Sequence, residues 1–165
     1  MAQIDKTIAV VMGSDSDMPV MKTCIDKLKE FGIEPVVRII SAHRTPDIAD
    51  EFAQSAAKSG IKVIIAAAGM AAHLAGALAA RTTLPIIGVP LAADQSPAGI
   101  DALLSTVQMP PGIPVASMAI GKAGAVNAAI FAVQILALGD EKLAARLADF
   151  RKSQRQKVIE KDSSI

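Results

Sequence analysis

Five short apolar runs set the terms for any fold open to this chain: Thr7–Met12, Glu34–Ile40, Lys62–Ala67, Pro85–Val89 and Val115–Ile120. They have the length and the branched side chains of β-strands. Thr7–Met12 is apolar without alternation, the pattern of a parallel strand covered on both faces. Each run leads through a turn into a helical stretch. Met18–Phe31 carries Pro19 in its first turn and stops at Gly32, and Pro46–Ser59 is closed by Gly60. An Ala-rich helix follows Met70 and ends near Arg81, a short one covers Ala98–Val107, and a long apolar one runs after Gly124 to Leu138. Strands that alternate with helices predict an α/β fold, a doubly wound parallel five-stranded sheet in three layers with right-handed crossovers. We expect one domain over residues 1–165, with a core at about 7–139 and an extra C-terminal helix over about 141–161.

In such a sheet all five strand-to-helix turns open on one edge, where ligands bind. The chemistry-bearing residues fall there: Ser14 and Asp17, His43 and Arg44, Gly69 and His73, Gln95 and Ser96, and Lys122. His43, in Ser41-Ala42-His43-Arg44-Thr45-Pro46, is one of only two histidines, so its place beside an arginine carries weight. An imidazole next to a fixed cation suits acid–base chemistry on an anionic substrate, although it also suits simple capping of the turn.

Gly13-Ser14-Asp15-Ser16-Asp17 offers backbone N–H groups and two hydroxyls at a helix N-terminus, which suits an anion. It lacks the glycine spacing of a dinucleotide fingerprint and the lysine of a Walker loop. Asp15 and Asp17 would both repel a phosphate, so at least one should turn away, as a helix cap or as an acceptor for sugar hydroxyls. Arg44 would supply the positive charge. The alternative is a plain capping loop. For His73 a core histidine bonded to backbone and a site residue stay equally open.

Composition removes other classes. A net charge of +1 gives no reason to expect nucleic acid or an anionic membrane as partner. Four Phe without Tyr or Trp leave no aromatic platforms for single-stranded nucleic acid, and weaken a flavin reading. The single cysteine, Cys24, excludes an internal disulfide and fits a reducing compartment, the cytoplasm. It shares a helical pattern with Met21, Ile25 and Leu28, so a buried, inert thiol is expected. Two histidines and one isolated cysteine make a poor metal site. No signal peptide is read, because Asp5 and Lys6 break the first apolar stretch. Val63–Ala80, with His73 its only ionisable side chain, is split by Gly69 and Gly76 and reads as strand, turn and helix rather than a membrane span.

Several long motifs occur in order: Val11-Met12-Gly13-Ser14-Asp15-Ser16-Asp17, Ser41 to Pro46, Ala71-Ala72-His73-Leu74, Leu104-Ser105-Thr106-Val107-Gln108-Met109-Pro110 and Ala119-Ile120-Gly121. Together they closely resemble the class I N5-carboxyaminoimidazole ribonucleotide mutases of purine biosynthesis, over about Ile8 to Ala137. The resemblance implies a flavodoxin-like fold and a homo-octamer with sites at subunit interfaces. It implies a small-molecule nucleotide substrate, and no metal or cofactor. It assigns His43 as general acid–base. Ser14, Asp17 and Arg44 would bind the ribose phosphate portion, and His73 with the Gly69–Ala72 turn, Met70 and Ala71 included, would line the base and carboxylate end. Gly13, Ser16, Ser41 and Leu74 would also bind substrate. The family usually has glycine where Met70 stands and proline where Ala75 stands. The related class II enzymes, which take aminoimidazole ribonucleotide and CO2, have lysine after the motif histidine and lack the His73 motif. Arg44 and His73 therefore favour class I.

Small residues near Gly69 and the stiff loop Pro110–Pro114 are expected to let backbone approach the substrate ring. Leu143, Leu147 and Phe150 on one side of the last helix are expected to pack on a neighbouring subunit. A non-catalytic nucleotide- or flavin-binding module is the reading from another class, and would purify coloured or nucleotide-loaded.

Overall fold

A computed structural model describes residues 6–93 and 98–165. By its internal contacts the chain forms two compact units, Met1–Ala132 and Val133–Ile165. The first holds a five-stranded sheet, all parallel, with strand order β2-β1-β3-β4-β5. The strands are β1 (Ile8–Met12), β2 (Val36–Ile39), β3 (Val63–Gly69), β4 (Ile86–Leu91) and β5 (Ala116–Ser117). The helices are α1 (Met18–Glu30), α2 (Pro46–Ala56), α3 (Leu74–Ala79), α4 (Ile100–Val107), α5 (Lys122–Ala137) and α6 (Glu141–Asp162).

The unbroken apolar strands do what their composition requires. Every residue of β1 is buried, and so are Val63 to Ala67 of β3 and all of β4. On one face Ala9, Val11, Ile64 and Ala66 pack with Ala49, Phe52, Ala53 and Ala56 of α2 and with Leu74, Ala75 and Leu78 of α3. Gly88 lies on this face too. A Cβ there would collide with Thr106 of α4 and come within 3.0 Å of Val115, so glycine lets α4 sit close to β4. On the other face α1 packs on β1 and buries Met21, Cys24 and Leu28.

Five elements have bounds that differ from the sequence reading for physical reasons. β4 continues through Pro90 to Leu91, where a loop is expected. The Pro90 carbonyl faces the β5 side and accepts from Gly121 N at 2.9 Å. Its missing N–H faces that side as well, where β5 has already ended, so the ladder loses nothing. β5 shrinks to Ala116–Ser117 and β2 to Val36–Ile39; both are edge strands with one pairing partner. α3 starts only at Leu74, because Ala71 to His73 bend after Met70, whose φ of 55° breaks helical geometry. α5 takes Lys122, Ala123 and Gly124 into its first turn, so they form no separate loop.

In the second unit α6 is capped by Asp140, whose Oδ1 accepts from Lys142 N at 2.9 Å and Leu143 N at 3.1 Å. Leu143 is buried, Leu147 and Phe150 are half-buried, and the helix beyond Phe150 is exposed. No helix among the described residues is long and apolar enough to cross a membrane.

Candidate active site

The strand order reverses at β1: the chain passes from β1 to β2 on one side and returns to β3 on the other. The crevice beyond the carboxyl ends of the strands at such a switch point is where open α/β sheets bind ligands. A cleft of about 480 Å³ lies there. Every residue that the resemblance assigns to the site lines it: Gly13, Ser14, Ser16, Asp17, Ser41, His43, Arg44, Gly69, Met70, Ala71, His73 and Leu74. Ala42, Ala68 and Ala93 complete the lining; as plain alanines they give no signal in the sequence. Lys122 shares this edge of the sheet but not the cleft. Gln95 and Ser96 lie outside the described residues.

The carboxyl ends are tied together by backbone bonds. Ile40 N donates to Met12 O at 2.9 Å and Gly13 N to Ala67 O at 3.0 Å. Ser14 then caps a single 3₁₀ turn, Asp15–Asp17, in a capping box. Its Oγ accepts from Ser16 N at 3.3 Å, and its own N–H donates to Asp17 Oδ2 at 3.0 Å. Asp17 is therefore turned inward as a cap, as the charge argument requires of at least one aspartate. Asp15 also bonds locally, accepting from Ser14 Oγ and Ser16 N at 3.1 Å each. Burial raises the Asp17 carboxyl above its ordinary range, with the Asp15 charge adding to the rise. Bonds from Ser14 and Gly13 and the Arg44 charge oppose it without cancelling it.

The second turn is pinned by Thr45, which accepts from Ser41 N and donates to Ser41 O, both at 3.0 Å. Ser41 Oγ accepts from Arg44 N at 3.1 Å. The Arg44 side chain reaches across to the first turn, where Nη2 donates to Gly13 O at 3.0 Å. A fixed cation is thus held over the Gly13–Asp17 loop, whose local charge is otherwise negative.

The third turn brings in what the sequence reading did not foresee. His43 Nε2 and His73 Nδ1 are 2.9 Å apart in a hydrogen bond, with the rings edge to face. His73 is exposed rather than a core histidine. One of these nitrogens must carry the proton and the other accept it, so the two imidazoles act as a linked pair. A Cβ at Gly69 would lie 3.2 Å from Leu91 O, a tight approach that glycine avoids.

Within this chain Pro110–Pro114, expected near the substrate ring, does not line this cleft. The loop precedes β5, and Gly112 to Pro114 line a different cleft of about 640 Å³ at the amino ends of the strands. That cleft is larger, but Arg81 is its only ionisable lining residue and is already paired with Asp50 at 2.5 Å. Size therefore does not outweigh chemistry, and the smaller cleft is the candidate. Among the described residues no three His, Cys, Asp or Glu side chains are grouped as a bound metal would need.

The comparisons with known proteins agree on one family. The AIR carboxylase family model matches residues 7–157. The chain is 54% identical to the N5-carboxyaminoimidazole ribonucleotide mutase of Brucella melitensis over 157 residues, covering 95% of this chain and 96% of that protein. It is 51% identical to the mutase of the same name from Bacillus subtilis over 160 residues, covering 96% and 97% of the two chains. The crystal structure of Treponema denticola PurE superposes with a TM-score of 0.85 at 33% identity, covering 96% of this chain and 97% of that one. Since the family match takes in all three turns that build the cleft, the chain belongs to the AIR carboxylase family.

Proposed function

We propose that this protein is an isomerase of purine biosynthesis. It moves the carboxylate of N5-carboxyaminoimidazole ribonucleotide from the exocyclic nitrogen to the ring carbon, giving 4-carboxy-5-aminoimidazole ribonucleotide. The observation that carries the reading is the place of His43. Its ring stands at the end of β2, bonded to His73 at 2.9 Å, in a cleft it shares with the polar Ser14–Asp17 turn and the small residues Gly69 and Ala71.

The chemistry needs this division. The N–C bond to the carboxylate breaks, releasing CO2, and the nitrogen takes up one proton. The ring carbon then bonds to CO2 and gives up one proton, so nothing is oxidised and no proton is gained overall. One acid–base group serves both transfers, which is the role given to His43. The His73 ring, with its Nδ1 committed to His43, fixes which imidazole nitrogen is free. Arg44, Ser14 and Ser16 bind the phosphate, and Asp17 and Ser41 accept from ribose hydroxyls. Gly69, Met70, Ala71 and Leu74 line the end that receives CO2. The cycle asks for no metal or cofactor.

The assembly is a homo-octamer with the sites at subunit interfaces, working in the cytoplasm. Exposed apolar stripes support the assembly: Ile100, Leu104 and Val107 on α4, and Val37 and Ile39 on edge strand β2. The exposed histidines support a site completed by a neighbour, since CO2 must be kept from escaping. A monomer by light scattering would refute it.

The test is a spectroscopic assay of the purified protein with N5-carboxyaminoimidazole ribonucleotide, without ATP or added bicarbonate. Conversion to the carbon-carboxylated product is expected. Activity only with aminoimidazole ribonucleotide and CO2 would make the protein a carboxylase. Silence in both assays would leave a binding role.

A further inference from the structure

The geometry points to Thr45 as the residue that positions His43: its hydroxyl closes the turn that presents the imidazole to the substrate. The inference rests on the acid–base role given to His43 above.

Thr45 stands one residue before α2, at its N-cap position. A threonine there ordinarily turns its hydroxyl forward and accepts from an N–H of the first helical turn. This one makes no such bond. Its hydroxyl turns back along the chain, where Oγ1 accepts from Ser41 N and donates to Ser41 O, both at 3.0 Å. Thr45 N donates to the same Ser41 carbonyl at 3.0 Å. Three bonds thus join these two residues, and the one proton of the hydroxyl is committed to the turn. The start of the helix forgoes its cap, and the turn gains a lock. Ala42, His43 and Arg44 lie between the two residues and line the cleft, whereas Thr45 does not. Thr45 therefore reaches the chemistry only through the turn it closes.

His43 and Arg44 depend on that lock unequally. Arg44 has holds of its own: its N–H donates to Ser41 Oγ at 3.1 Å and its Nη2 to Gly13 O at 3.0 Å. Among the described residues, His43 is held only by its ring bond to His73 at 2.9 Å. Both histidines are exposed, so packing within this chain does little to fix them. A displacement of about 1 Å in a reacting group can cost about a hundredfold in rate. Loss of the Thr45 hydroxyl therefore slows proton transfer and spares the anchor for the phosphate.

The experiment measures kcat and KM for N5-carboxyaminoimidazole ribonucleotide in wild type, T45V, T45S, H43N and the double variant H43N/T45V. Valine keeps the branched shape of threonine and puts a methyl in place of the hydroxyl. T45V should lower kcat about ten- to a hundredfold, with KM within about twofold of wild type. T45S, which keeps the hydroxyl, should hold kcat within about threefold of wild type. In the H43N background the T45V change should cost nothing further, because the group it positions is gone. Wild-type kcat in T45V, or no rescue by T45S, would overturn the inference. So would a rise in KM alone, which would give the hydroxyl to the substrate anchor. An equal fall of kcat in both backgrounds would also overturn it, as loss of folded protein, and circular dichroism melts of the same variants check that directly. Failure of wild type to convert the substrate, or wild-type kcat in H43N, would instead overturn the reading of the reaction, and the inference with it.

Discussion

Replacing His43 with asparagine separates the chemistry of the site from its stability. His43 is exposed, and among the described residues its ring bonds only to His73 Nδ1 at 2.9 Å, on a residue that is itself exposed. Loss of the imidazole opens no core cavity, and water can replace the lost bond. The stability cost is therefore under about 0.5 kcal/mol, the low end for a hydrogen bond. In a chain of this length that moves the thermal midpoint by less than about 2 °C. Loss of a positioned general acid–base group costs about 10² to 10⁴ in rate, or about 2.7 to 5.4 kcal/mol on the barrier. The expected result is a variant that melts like wild type and binds the nucleotide as well, yet turns over at least about a hundredfold more slowly. Circular dichroism melts, binding calorimetry and the spectroscopic assay measure the three quantities. Turnover within about tenfold of wild type would refute the acid–base role, since no such group gives so little. A fall in melting temperature of about 5 °C or more would instead show that His43 holds the turn together.

Asp17→Asn should act oppositely on stability and function. Because burial raises the folded-state pKa of Asp17, the stabilising contribution of its protonated form is full below the ordinary carboxyl range and is lost as pH rises through the raised value. The asparagine variant lacks this dependence and should turn over more slowly, and its melting temperature relative to wild type should climb as pH rises from about 4 through the raised value; a flat or falling difference would contradict the sign. Gly88→Ala drives a Cβ into Thr106 and against Val115, and overpacking of this kind costs about 1 to 3 kcal/mol. Adding Thr106→Ser, which removes the colliding methyl and keeps the hydroxyl bond to Ala102 O, should recover part of that loss; no recovery would locate the strain elsewhere. Burial pushes the Cys24 thiol up to about 12, so it should resist thiol reagents at neutral pH until denaturant is added. Rapid labelling of the native protein would show that α1 opens.

Local signals made much of this legible, and non-local geometry explains the remainder. Gly32 and Gly60 stop helices because they take the left-handed conformation there, with φ of 78° and 88°. Ser14 and Asp17 have the spacing of a capping box, so an inward aspartate could be read from charge and spacing alone. The His43–His73 bond could not be read that way. It joins residues thirty apart, and it exists because β1 lies between β2 and β3 in the sheet, an order that local pattern does not set. The stiffness of the loop Pro110–Pro114 does not say at which edge of its own sheet the loop lies. A segment that enters a parallel strand lies at the amino edge, away from the ligand crevice. Pro90 misled differently: a proline ends a strand only if its missing N–H was needed, and here the neighbouring strand had already stopped.

The cleft is split by the order of its strands, and the split matches the reaction. The turns after β1 and β2 contribute Ser14, Ser16, Asp17, Ser41 and Arg44, all able to bond an anionic, hydroxylated group. The turn after β3 contributes Ala68, Gly69, Met70 and Ala71, which offer almost no side-chain polarity. The linked imidazoles of His43 and His73 stand where the two sets meet. A hydrolase or phosphoryl-transfer site would want donors aimed at a developing oxyanion on both sides of its base. A carboxylate that leaves as neutral CO2 and returns to a carbon of the same ring wants the reverse. It needs a polar anchor that never lets go, a proton carrier at the seam, and an apolar pocket beyond it. Placing a charge in that pocket is therefore more damaging than removing a bond from the anchor. Ala71→Asp should abolish transfer while leaving nucleotide affinity largely intact, whereas Arg44→Ala should weaken affinity and spare turnover at saturation. If both variants lost affinity alone, this division of labour would be wrong.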